Sequence, residues 1–198
     1  MKAWELTAFG REGLRLAEKS EPNPKPNEVL LRMSAVSLNY RDKLVAEGLY
    51  NPNLSFPMIQ VAGGVGEVVD VGESVTRFRS GDRAMTHYDT RWIDGEPQGD
   101  EAIHSLGSTI SGALAEYIVM DEQSVVRVPD YLTDEEASTL PCAALVAWYA
   151  LVEKGRLGPN QTVLVQGTGG VSIFGLQIAS AIGAPGRPSD AALQESFW

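Results

Sequence analysis

The run Val163-Leu-Val-Gln-Gly-Thr-Gly-Gly170 decides how this chain is read. Val163 to Gln166 suits a short buried strand, Gly167 to Gly170 a turn, and Val171 to Ile182 a helix that is apolar on nearly every face. Strand, glycine turn and helix make the first half of a βαβ unit. In a dinucleotide-binding unit the first glycine permits the tight turn and the second lets the backbone approach a pyrophosphate. The third lets helix and strand pack closely, and the phosphates lie over the helix N-terminus. Gly167 and Gly169 fill the first two places, and Ser172 stands in the third. A merely structural turn is the alternative; the flanking strand and helix favour the nucleotide fingerprint.

Such units carry an acidic residue about 20 positions further on, at the end of a second strand. Asp190 lies at that distance, but Pro185 and Pro188 argue against a regular central strand before it, so it reads as a false match. A preference between NADH and NADPH is therefore not legible.

Working outward, Thr133 and Glu136 have capping-box spacing, so a helix is expected to start there and to end or kink at Pro141. Ala143 to Glu153 should continue as a mostly apolar, buried helix stopped near Gly155. The apolar run Cys142 to Val152 is far shorter than the roughly 20 residues that span a bilayer. From Met1 to about Asp130 the pattern is short strands and turns. Strands are expected over Val29–Met33, Val65–Val71, Ala113–Met120 and Ser124–Val128, with strand, turn, strand over Gly72–Thr86 around Gly81-Asp82. Pro22-Asn-Pro-Lys-Pro26 is a connector. The polar stretch from Thr86 to Gly112 is expected to be a loop over the surface. Many short strands with little helix imply a small barrel or sandwich.

Composition sets limits. With 43% hydrophobic and 21% charged residues in 198, there is material for a core and no case for wholesale disorder. A net charge of −10 argues against binding nucleic acid, which needs clustered Lys and Arg. The N-terminus shows no secretory signal, and a single cysteine excludes an internal disulfide framework. The expectation is a soluble, cytoplasmic protein that is not in a membrane.

His87, His104 and Cys142 have no ligand-type partner at the spacing zinc sites use, and they read as two loop histidines and a buried thiol. No Gly-x-Ser-x-Gly and no nucleophile–base pair points to a hydrolase. Ser37-Leu-Asn-Tyr-Arg-Asp42 clusters amide, phenol, guanidinium and carboxylate after a strand. By itself it reads first as a capped turn opening a short helix.

The order of these motifs resembles the medium-chain dehydrogenase/reductase superfamily, in its zinc-independent quinone oxidoreductase-like branch. The matching stretches are Ala35-Val-Ser-Leu-Asn-Tyr-Arg-Asp42, Gly64-Val-Gly-Glu-Val68, Val71-Gly72 with Val75, Phe78 and Gly81-Asp82, and Gly112-Ala-Leu-Ala-Glu-Tyr117. Leu140-Pro-Cys-Ala-Ala-Leu-Val-Ala-Trp-Tyr-Ala-Leu151 and Val163 to Gly170 complete the set.

The resemblance implies an α/β plus β chain in three parts. Residues 1–130 would be a GroES-like β-barrel-type catalytic domain. Residues 131–184 would be linking helices and the first β-α of a truncated Rossmann domain, and residues 185–198 a non-family tail. It implies hydride transfer from NADPH or NADH to a quinone or α,β-unsaturated carbonyl. Asn39, Val146, Gly167, Thr168, Gly169, Gly170 and Val171 would bind the cofactor. Tyr40, or a bound water, would supply the proton, with Asp42 as a second catalytic candidate or as a support for Arg41 or Tyr40.

Zinc-dependent relatives have a cysteine at the Asn39 position and a histidine at the Ala62 position, so no zinc is expected. Val146 replaces a usual threonine, and Gln60-Val-Ala-Gly63 departs from the commoner acidic sequence.

Only 31 residues follow Gly167, so a C-terminally truncated form is expected, sticky or docked on a partner. A homo-oligomer or another protein covering the half-domain is the expected partner. The alternatives are a non-catalytic form acting as a binding or dimerisation partner, and an alcohol dehydrogenase.

Overall fold

The structure is a computed structural model and describes residues 1–96, 99 and 104–184, with the backbone of 186–188. It divides into two compact units, Met1–Pro141 and Cys142–Trp198.

The first unit is built on antiparallel strands: β1 (Lys2–Leu6), β2 (Leu14–Glu18), β3 (Glu28–Ser37), β4 (Met58–Ile59), β5 (Gly63–Val71), β6 (Arg83–Thr86), β7 (Tyr117–Asp121) and β8 (Val125–Arg127). Five form one sheet in the order β7-β3-β5-β6-β8 and three form another in the order β2-β1-β4. Trp4 N to Leu114 O, at 2.9 Å, ties the smaller sheet to the segment leading into β7. Two register shifts where β3 meets β5 curl the larger sheet. Val29, Leu31, Val68, Ala84, Ile118, Met120 and Val125 point into one core and are fully or nearly buried. Helix α1 (Tyr40–Ala46) follows β3, and Val45 anchors it in a second cluster with Leu6, Leu54 and Met58.

Two expectations for this unit are corrected. Gly72 to Arg79 holds no strand; it is pinned instead by Thr76 N and Arg77 N, which donate to the Glu122 carboxylate at 2.9 and 2.7 Å. The 86–112 stretch is not simply a surface loop. Thr86, Asp89, Ser105, Leu106 and Ser108 are buried, and Leu106 belongs to the main core. The apolar residues of this stretch follow neither a strand nor a helix period, so no local pattern reveals this.

At Gly112 a Cβ would overlap the carbonyl oxygens of Val61 and Gln60, so only glycine lets the two backbones meet. Val61 is itself buried with φ 74°, a left-handed conformation that is strained for a β-branched residue.

The capping box forms as read: Glu136 N donates to Thr133 Oγ1 at 3.2 Å and Thr133 N to Glu136 Oε2 at 3.0 Å, opening α2 (Asp134–Ser138). A wide-wound helix over Leu140–Ala144 then leads into α3 (Leu145–Trp148) and a second wide turn over Tyr149–Lys154. This helical run is less buried than its composition implies. Ala143 and Ala147, one turn apart, are buried, while Leu145, Val146 and Trp148 face out and Cys142 is half-buried.

In the second unit β9 (Val163–Val165) leads into α4 (Gly170–Ile182). Gly183 at φ 84° ends α4, with Ala184 N donating to Ala179 O at 2.8 Å in a Schellman-type closure. β10 (Gly186–Pro188) then pairs parallel with β9, so a complete βαβ unit stands where the sequence reading ruled out only a regular central strand. The prolines bar a central strand, and β10 lies at the edge of a two-stranded sheet, where a missing N–H is tolerated. Asp190 lies outside the described residues.

Candidate functional site

Two groups of residues carry the chemistry, one in each unit. In the first, β3 delivers the chain to Asn39, which caps α1 in extended conformation. Asn39 N donates to Asp42 Oδ2 at 2.8 Å, and Asn39 Nδ2 turns back to donate to Ser37 O at 3.1 Å. Asp42 therefore closes the helix start, as carboxylates do near helix N-termini. Burial pushes the Asp42 carboxyl above the usual aspartate range, against the pull of the Asn39 amide and the Arg41 charge. Arg41 Nη1 lies 3.2 Å from Asp42 Oδ1, and both side chains are buried. Tyr40 is 71% exposed, with Lys43 Nζ 5.5 Å from its ring centre. The structure thus gathers Asn39, Tyr40 and Asp42 at one helix end, with Asp42 bonded inward and Tyr40 turned to solvent.

In the second unit the glycine turn opens outward. Gly167 takes φ 81°, a conformation few side chains adopt, and no atom lies within 4 Å of where a Cβ would stand at Gly167 or Gly169. Gly169 caps α4, and Thr168 and Val171 are exposed beside it. A Cβ on Gly170 would come within 3.0 Å of Ala143 Cβ, so the glycine there serves packing of α4 on the preceding helical run. Ser172, in the third glycine's place, donates from Oγ to Gln166 O at 2.7 Å and closes the turn by a hydrogen bond. The turn thus leaves open space beside the N-terminus of a 13-residue helix, the kind of helix end at which anions bind. Val146, on α3, presents a half-exposed aliphatic side chain in the same unit.

The zinc positions do not fit a metal. Ala62 is a buried methyl whose carbonyl accepts from Thr86 Oγ1 at 2.7 Å, and Asn39 spends its amide N–H on Ser37. Among the described residues no group of three His, Cys, Asp or Glu could hold an ion. His87 Nδ1 is instead 2.5 Å from Asp89 O.

Sequence reading missed two features of the first unit. The Arg41 guanidinium carbon lies 5.2 Å from the Tyr50 ring centre and 4.8 Å from that of Tyr88. Gln60 is 4% exposed with neither amide atom hydrogen-bonded among the described residues. The first joins residues 38 apart, and no local spacing signals it. The second was visible as a polar residue beside Val61 in an apolar run.

The alcohol dehydrogenase GroES-like domain model matches residues 25–130, more than half of the chain. A zinc-type alcohol dehydrogenase-like protein of Schizosaccharomyces pombe is 43% identical over 162 residues, 80% of this chain and 46% of that protein. An acryloyl-coenzyme A reductase of Metallosphaera sedula is 35% identical over 188 residues, 88% of this chain and 54% of its own length. The crystal structure of a Sinorhizobium meliloti 1021 protein described as an alcohol dehydrogenase superposes with a TM-score of 0.89 at 43% identity, over 99% of this chain and 59% of that one. The chain thus spans about half the length of the curated relatives it matches. With its antiparallel GroES-like sheets followed by a βαβ unit, the chain belongs to the alcohol dehydrogenase GroES-like domain family, within the medium-chain dehydrogenase/reductases.

Proposed function

We propose that this chain is part of an NAD(P)H-dependent oxidoreductase that reduces a quinone or an α,β-unsaturated carbonyl without zinc. The glycine turn between β9 and α4 carries this reading, because a strand, a glycine turn and a helix N-terminus in succession form the arrangement that receives a dinucleotide's pyrophosphate. Relatives named as an acryloyl-coenzyme A reductase and a zinc-type alcohol dehydrogenase-like protein support an oxidoreductase reading.

When bound, the nicotinamide cofactor supplies the hydride. The backbone N–H groups of Gly167, Thr168, Gly169 and Gly170 hold its pyrophosphate, and Val171 and Val146 give it apolar contact. Asn39 is assigned to the nicotinamide, and Tyr40, exposed at the end of α1, to the proton that the reduced product takes up. Asp42 is assigned to holding that helix end in place rather than to moving a proton, because both of its oxygens already accept hydrogen bonds. The amide and methyl at the zinc positions support a metal-free reaction.

The test is NADPH and NADH titration, followed by turnover with a quinone, an enone, an acryloyl thioester and a primary alcohol. Oxidation of reduced cofactor with the first three, and not the reverse reaction with alcohol, is expected. No cofactor binding, or one zinc per chain by elemental analysis, would overturn the proposal.

A further inference from the structure

We infer that Arg41 is a positioning residue, whose guanidinium holds the start of α1, with Asn39 and Tyr40, against the 86–112 segment. The inference rests on the proposed function in taking those two residues as part of the site; the clamp itself rests on geometry.

A continuous chain of contacts runs through Arg41. Its Nη2 donates to Leu106 O at 2.7 Å, with Ser105 Oγ at 3.5 Å. Its Nη1 donates to Asp42 Oδ1 at 3.2 Å, and the other Asp42 oxygen accepts from Asn39 N at 2.8 Å. Leu106 is itself fixed in the main core. The helix cap is thus connected to the core of the first unit through one guanidinium.

The same group also meets two aromatic rings. Its carbon lies 5.2 Å from the Tyr50 ring centre and 4.8 Å from that of Tyr88, and the two hydroxyls, 3.0 Å apart, tie the rings to each other. A planar fork that hydrogen-bonds two acceptors while keeping cation–π contact with two rings is a task for arginine, for which the compact ammonium of lysine is a poor substitute.

Stability alone does not account for this arrangement. A buried ion pair contributes little net stability, and Arg41 Nε is buried with no partner among the described residues. What the pair does provide is a defined position. α1 has seven residues, too few to hold its own first turn, and among them Asp42 and Val45 are buried. Val45 anchors the end of the helix; Arg41 and Asp42 anchor its beginning.

The experiment is amide hydrogen exchange on the full chain, wild type against Arg41→Met and Arg41→Lys, with NMR of the Arg41 side chain. In the wild type, ring currents of Tyr50 and Tyr88 should move the Arg41 side-chain resonances upfield. In both variants, exchange at Asn39 to Lys43 should accelerate on the order of tenfold, the size of one lost charge-assisted hydrogen bond, while β3 and β5 exchange as before. Millimolar guanidinium ion should restore part of the protection in Arg41→Met, and where turnover is measured kcat should fall with the KM for NADPH unchanged. Unaltered exchange at Asn39 to Lys43, or acceleration spread evenly over β3 and β5, would overturn the inference. Should Arg41→Met not fold, Tyr50→Leu, at a half-exposed ring, decides: a smaller acceleration confined to the same amides supports the clamp, and none refutes it. Exchange and NMR need no substrate, so an absence of turnover in the wild type would count against the proposed function alone.

Discussion

Tyr40 and Gln60 meet opposite conditions, one phenol mostly in solvent and one carboxamide almost wholly out of it. Tyr40 leaves its helix cap intact if changed, because Asp42 closes the turn through the Asn39 backbone. Tyr40→Phe should therefore keep the fold and lower kcat on the order of 100-fold, the usual worth of a positioned proton donor. Equal turnover at saturating substrate would reassign the proton to water. Gln60→Met should raise stability by about 1 kcal/mol, because a buried amide without a partner carries a desolvation cost that a thioether of similar size avoids. A lower urea midpoint would instead show that the amide is bonded in solution.

Among the elements, the glycine turn and α2 make separable claims. Gly169 has φ −72° and ψ 172°, open to any residue, and nothing stands where its Cβ would be. Gly169→Val should thus meet no clash and lower stability only by the loss of a glycine N-cap, about 1 kcal/mol. It should still weaken NADPH binding at least about tenfold if the turn holds a pyrophosphate. Calorimetry of both quantities checks this, and unaltered affinity would return the turn to a purely structural role.

The start of α2 is fastened to the sheet by Asp134, which accepts from Ser34 Oγ at 2.6 Å and from Arg83 Nε and Nη2 at 2.8 and 2.6 Å. The Ser34 hydroxyl, and after it the Arg83 guanidinium, hold the Asp134 carboxyl below the usual aspartate range. Its folded pKa lies under its unfolded one, so its contribution is present above about pH 4 and is lost as pH falls towards the folded value. Asp134→Asn should accordingly be less stable than wild type at neutral pH, with the gap closing in acid. A pH-independent gap would assign the loss to packing.

At the scale of the whole molecule, the second unit leaves apolar surface in solvent. Leu164 on β9 is 66% exposed, and Val171 and Ile173 on α4 are 46% and 48% exposed. Covering what each still exposes would contribute roughly 1–2 kcal/mol, a half to two thirds of the value for burying a whole side chain. The chain should therefore associate at micromolar concentration, and Leu164→Lys with Ile173→Glu should reduce that association. Analytical ultracentrifugation reads both outcomes; a monomer at all concentrations would refute the expectation.

What the amino-acid sequence determined by itself was the part of the protein that depends on local rules. Strand and helix periodicity, the Thr133–Glu136 capping box and the glycines of the 167–170 turn act over a few residues, and their order was enough to place the family. The tertiary structure decided what depends on distant partners. It seated Leu106 in the core from a polar stretch, pressed Gly112 against Val61, and let Gly186–Pro188 pair with β9 despite Pro188. It also brought Arg41 onto the rings of Tyr50 and Tyr88 and turned Asp42 inward. The reason is physical: a residue's conformation is biased by its neighbours in sequence, whereas its burial and hydrogen-bond partners exist only once remote segments have met.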